Sequence, residues 1–300
     1  MPDSKRFLHP ETIQRISRLD VRARYIVEGF LSGVHRSPYF GQSVEFLQHR
    51  EYARGDDMRR IDWKVWAKQD RYYVKQYEED TNLRSTLLVD VSASMQYGSG
   101  PLNKYEYGST LAVSLAYLLL RQQDAVGCVS FDAATRVTVP PRSSRNHLQS
   151  IIQALDVSEP KEKTDLLRIL RDVAENYPRR GMVIIISDLL ADRPSLFRGL
   201  ALLRQRGHDV LLFHLLDDDE LDFTFKGPTR FEGLEIPERL TCNPRALRDG
   251  YLEALNAYLE EVRRGCARAS VDYALVRTSQ PMDVALTAYM AARQRLGARV

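Results

Sequence analysis

Thr86-Leu87-Leu88-Val89-Asp90-Val91-Ser92-Ala93-Ser94-Met95 is the stretch on which the fold turns. A run of apolar, strand-forming residues ends in an acid, and two hydroxyls follow at alternate positions. A buried strand that stops at aspartate puts the carboxylate at the carboxyl edge of a sheet, where open α/β folds build their sites. Ser92 and Ser94, two apart in an extended turn, can face the same way as Asp90. Three oxygens so placed form part of a shell for a hard divalent cation such as Mg2+. Taken alone, the same stretch also reads as a strand end followed by a serine-rich helix cap.

Working outward, strands and helices alternate. Ser85–Asp90, Ala125–Phe131, Met182–Ser187, Asp209–Leu215 and Val271–Val276 read as apolar strands, and Arg136–Pro140 as a short antiparallel neighbour. Helical patterns occupy 104–123, 145–155, 165–177, 195–206, 244–264 and 282–296. Fully apolar strands between amphipathic helices predict an α/β fold with a doubly wound, mainly parallel sheet flanked by helices. Residues 1–80 read as an accessory segment with a helical pattern from Pro10 to Leu31 and a strand at Tyr72–Glu78. The α/β domain is expected over 81–300, with an insertion at about 217–265. Charged, aromatic and Gly-Pro residues break the rhythm from Asp217 to Thr241, and the acidic run Asp217-Asp218-Asp219-Glu220 reads as a solvated loop.

Two more strand-edge positions extend the oxygen set. Thr164 opens the helix before the Met182 strand, and Asp188 immediately follows that strand. Asp90, Ser92, Ser94, Thr164 and Asp188 thus offer two carboxylates and three hydroxyls without histidine or cysteine. Such donors suit Mg2+ or Mn2+ and disfavour zinc.

The order Asp-x-Ser-x-Ser, then Thr, then Asp after an apolar strand resembles the metal-ion-dependent adhesion site of von Willebrand factor A domains. That resemblance implies Ser92, Ser94 and Thr164 as direct ligands, Asp90 and Asp188 acting mainly through water, and a partner's acidic group completing the shell. Glu162-Lys163 stands where that family often has glycine. The flanks are more specific. Gly33 to Ser37, Arg50-Glu51-Tyr52-Ala53-Arg54-Gly55-Asp56-Asp57-Met58-Arg59-Arg60-Ile61-Asp62-Trp63, Val74 to Asp80 and His214-Leu215-Leu216-Asp217 closely resemble the DUF58 signature. This resemblance implies a von Willebrand A-like partner of a MoxR-type AAA+ ATPase, acting in chaperone-like assembly, or a binder of the acidic-residue-bearing client. Within the Arg50–Trp63 block, arginine–carboxylate pairs anchored by Tyr52, Trp63 and Trp66 read as a structural lock. Arg54, Arg59, Arg60 and Trp63, with His35 in the preceding loop, are the candidate partner-binding residues.

Composition bounds the alternatives. Over 300 residues the net charge is only +3, and residues 1–84, with sixteen Lys and Arg against thirteen Asp and Glu, account for the whole excess. The signs are interspersed there, which disfavours a nucleic-acid surface. Cys128, Cys242 and Cys266 fit neither a disulfide framework nor a zinc cluster. With no membrane-spanning apolar run and a charged start, the expected location is the cytoplasm. The predicted role is non-catalytic. A metal-dependent phosphohydrolase is the alternative, but Ser92 stands where haloacid-dehalogenase chemistry needs a second aspartate. The Gly-x-Ser-x-Gly elbow and the phosphate-binding Gly-Lys-Ser/Thr are also missing. His208 and His214 read as structural, and Cys128 as core.

Overall fold

The computed structural model describes residues 9–34, 46–51, 65, 72–77, 83–144, 146–156, 166–177, 180–234 and 238–297. Its strands are β1 (Phe46–Glu51), β2 (Tyr73–Tyr77), β3 (Arg84–Asp90), β4 (Ala125–Phe131), β5 (Thr135–Arg142), β6 (Met182–Ser187), β7 (Asp209–Leu216), β8 (Thr229–Glu232), β9 (Arg239–Cys242) and β10 (Asp272–Arg277). The helices are α1 (Pro10–Ile13), α2 (Leu19–Val34), α3 (Lys104–Arg121), α4 (His147–Asp156), α5 (Leu166–Asn176), α6 (Arg193–Gln205), α7 (Asp218–Asp222), α8 (Pro244–Arg268) and α9 (Met282–Gly297).

Six strands form the central sheet in the order β10-β7-β6-β3-β4-β5. All neighbours run parallel except β5, which returns antiparallel beside β4. This is the doubly wound, mainly parallel α/β class implied by the von Willebrand A resemblance. The apolar strands make it so: β3 and β6 are buried along nearly their whole length, which requires cover on both faces. Leu88, Ile185 and Leu212 lie side by side in register and pack with Ile169, Leu170, Leu200, Val262 and Cys266 of α5, α6 and α8. On the opposite face α3 comes so close that a Cβ on Gly108 would sit 3.1 Å from Leu215 and 3.2 Å from Ile186. A glycine at this point lets the helix whose first turn reaches the candidate site approach the sheet.

Contacts divide the chain into two units, 1–33 with 83–300, and 34–82. Helix α2 thus belongs with the α/β unit, where the Arg22 guanidinium donates to Thr110 Oγ1 at 3.1 Å. The expected single helical stretch from Pro10 to Leu31 is interrupted after Ile13, and Arg22 donates into the break at the Ile16 carbonyl. In the 34–82 unit, β1 pairs antiparallel with β2; β1 was hidden in a polar–aromatic block without clear alternation.

The region at 217–265 also differs from expectation. Helix α8 is no insertion, because Val262 and Cys266 are buried in the main core. The added structure is shorter: α7 and the β8–β9 hairpin.

Candidate metal-binding edge

The carboxyl ends of β3 and β6 lie side by side, so Asp90 and Ser187 meet at one level of the sheet. Asp90 Oδ2 accepts the Ser187 hydroxyl at 2.6 Å, and Oδ1 accepts the Ser92 N–H at 2.9 Å. The second bond is an Asx-type turn, which steers the chain off the strand into a short 3-10 turn at Ala93–Gln96. There the Ser92 and Ser94 hydroxyls sit 3.1 Å apart, both buried. The local geometry therefore follows from the Asp-x-Ser-x-Ser spacing itself.

Asp188 follows β6 and is buried like Asp90. The Ser187 hydroxyl also accepts the Leu189 N–H at 3.0 Å, and Leu189 takes a left-handed φ of 56°. The Asp188 backbone carbonyl accepts from His214 Nε2 at 2.9 Å. A carbonyl only accepts, so Nε2 carries the proton and Nδ1 receives the Tyr273 hydroxyl at 2.8 Å. Burial pushes the His214 imidazole down to about 4, in keeping with a neutral ring. His214 is thus a structural prop for the Asp188 turn.

One residue at this edge was missed: Lys104. It is fully buried at the first turn of α3, and its ammonium donates to Asp188 Oδ2 at 2.8 Å and Glu220 Oε1 at 2.7 Å. A cation at a helix N-terminus opposes the helix dipole, and burying it costs solvation. Those two carboxylates outweigh the burial, so the Lys104 pKa is raised. The sequence signal was a lysine just inside the Asn103 cap of a helix rich in apolar residues; Asn103 and Glu106 form a reciprocal capping box.

The acidic run is not a solvated loop, which corrects the sequence expectation. Asp217 is buried, caps α7, and accepts hydrogen bonds from Ser99 N–H (3.1 Å), the Ser99 hydroxyl, Thr278 Oγ1 (2.8 Å) and Asp219 N–H (3.0 Å). Burial opposes ionisation there, but these donors outweigh it and hold the carboxyl below its usual range. Glu220 completes the cap by accepting the Asp217 N–H at 2.7 Å, while burial raises its own pKa.

Asp90, Ser92, Ser94 and Asp188 are therefore brought to one edge. Thr164, His35, Arg54, Arg59, Arg60 and Trp63 lie outside the described residues. Among the described residues, no three His, Cys, Asp or Glu side chains converge as a metal site. Any cation would thus depend on hydroxyls, and the donor set fits one. The Ser92 and Ser94 oxygens are adjacent, while Asp90 already uses both carboxylate oxygens and suits contact through water. Burial, and then the facing Asp188 charge, raise the Asp90 pKa, which a divalent cation would reverse. When ionised, Asp90, Asp188 and Glu220 carry three negative charges against the one positive charge of Lys104.

Fold and edge together define an α/β protein whose doubly wound, mainly parallel sheet gathers acids and hydroxyls at its carboxyl edge. The family model described as "Protein of unknown function DUF58" matches residues 48–260, and the chain belongs to that family. It is similar over 291 residues, at 26% identity, to the uncharacterized protein Rv1480 of Mycobacterium tuberculosis, covering 95% of this chain and 91% of that one. Among solved structures it is similar to the conserved hypothetical protein BatB of Bacteroides thetaiotaomicron. That likeness has 14% identity and a TM-score of 0.45, over 71% of this chain and 99% of the other. A likeness to the SpRpn10 VWA domain has 10% identity and a TM-score of 0.41, over 69% and 94%. Among the described residues no helix is long and apolar enough to cross a membrane.

Proposed function

We propose that this protein is a non-catalytic interaction module that recognises a partner through a divalent cation, Mg2+ or Mn2+, at the carboxyl edge of its sheet. Ser92 and Ser94 would hold the cation directly, with Thr164 as the third hydroxyl, and Asp90 and Asp188 would act from behind. When bound, the cation supplies a Lewis-acidic position for one carboxylate of the partner.

The observation that carries this reading is the buried pair of serine hydroxyls, 3.1 Å apart, on a turn that Asp90 braces from below. Asp90 spends both oxygens on Ser92 and Ser187, an arrangement that suits an orienting carboxylate and leaves it poorly placed as a nucleophile. This favours ligand completion over the phosphohydrolase alternative. The family resemblance adds the class of partner: a MoxR-type AAA+ ATPase, or the acidic-residue-bearing client that it remodels.

Affinity capture with the wild-type chain and with Ser92→Ala, each in Mg2+ and in EDTA, tests the reading. The expected result is capture of an AAA+ ATPase or its client by the wild-type chain in Mg2+ alone. Equal capture in EDTA, or turnover of phosphoesters that Asp90→Asn abolishes, would overturn it.

A further inference from the structure

The short insertion builds a cleft beside the edge, with a volume of about 510 Å³. Its wall is aromatic. Phe223 stacks on Tyr251 with centroids 4.4 Å apart, Phe231 lies 5.8 Å from Phe223, and Phe225 meets Phe231 edge-on at 5.1 Å. Phe223 ends α7 in a left-handed conformation, φ 47°, rare for a bulky residue. The volume is that of a site for a side chain and its immediate neighbours, larger than a packing defect.

Its charge is one-sided. Among the described residues, Asp219, Glu220, Glu232 and Glu238 line the cleft together with a single base, Lys104. Lys104 is spent on Asp188 and Glu220, and Glu232 is shared with Arg230 (2.9 Å) and Arg239 (3.5 Å) of its own hairpin. Among the described residues no cation pairs with Asp219 or Glu238. An aromatic wall with acids at its rim complements a flat cation on an apolar stem. A guanidinium stacks on aromatic faces and forks to carboxylates, and its methylenes cover apolar surface.

We infer that this cleft binds an arginine side chain presented by an extended segment of a partner protein. The cleft adjoins the proposed cation position, since Ser94 lines it, so its test is made on chelator-treated protein and its failure leaves the cation reading untouched. Methyl NMR of Leu190 and Leu234, both in the cleft lining, would follow titration with the capped peptide Gly-Arg-Gly and with norleucine and glutamate versions. The arginine peptide is expected to shift these methyls saturably and to bind roughly tenfold tighter than norleucine. The glutamate version should not bind. Asp219→Asn combined with Glu238→Gln, in a protein whose Tm is unchanged, should bring arginine to the norleucine level. Four results would overturn the proposal: norleucine binding as tightly as arginine, no shift at millimolar peptide, no effect of the charge variants, or shifts that follow protein concentration and so report a second copy of the chain.

Discussion

Lys104 Nζ lies 2.8 Å from Asp188 Oδ2, and neither side chain is reached by solvent. One end of this pair starts α3 and the other ends β6, so it ties the helix to the edge of the sheet. Breaking a buried pair on one side strands the remaining charge. Lys104→Met should therefore destabilise the chelated protein by about 3 kcal/mol. Under the cation reading it should also make stability more dependent on Mg2+, because the variant has lost its internal cation. Calorimetry with and without Mg2+ checks this; equal Tm gains for variant and wild type would refute the second part.

Asp90 has a folded-state pKa raised above its ordinary 3.8, first by burial and then by Asp188. The native state then holds the proton more tightly than the unfolded chain, so this contribution is greatest below pH 3.8 and fades as pH rises through the folded value. Urea unfolding in EDTA, from pH 4.5 upward, should show a decline that Asp90→Asn reduces. Under the cation reading, Mg2+ should reduce it as well.

His214 runs in the opposite sense. Its pKa falls from 6.5 to about 4 through burial, so the unfolded chain takes up a proton first as pH drops. The stability it confers is complete above pH 6.5 and is lost between there and pH 4. From that shift the loss is about 3 kcal/mol. His214→Gln should be less stable at pH 7 yet show a flatter acid limb, measured by denaturant midpoints across pH.

Asp217→Ala removes a buried acceptor serving Ser99, Thr278 and the first turn of α7. A loss of about 2 kcal/mol is expected from the stranded donors. Amide exchange should rise in α7 and around Ser99 while β3 and β6 stay protected. Uniform acceleration across the sheet would contradict this local role.

How much of this was legible beforehand depended on the range of the forces involved. β3, β4 and β6 could be read because strands buried on both faces must be apolar along their length. The turn at Asp90-Val91-Ser92 was equally legible, since an aspartate accepting the N–H two residues on is a local event. β8 and β9 escaped notice: each is four residues long and mostly exposed, too short for an alternation to stand out.

The acidic run shows where local reading fails. Four acids in succession look like a solvated loop until chain folding brings Ser99, Lys104 and Thr278 against them from 61 to 118 residues away. No pattern within the run records those partners. Chain order and hydrophobic period alone were enough to establish the α/β class and to set Asp90, Ser92, Ser94 and Asp188 on one edge, because period and strand polarity are carried by adjacent residues. The buried Lys104 bridge and the acid-rimmed aromatic cleft arise from contacts between distant segments, whose desolvation and charge pairing exist only once the chain has closed on itself.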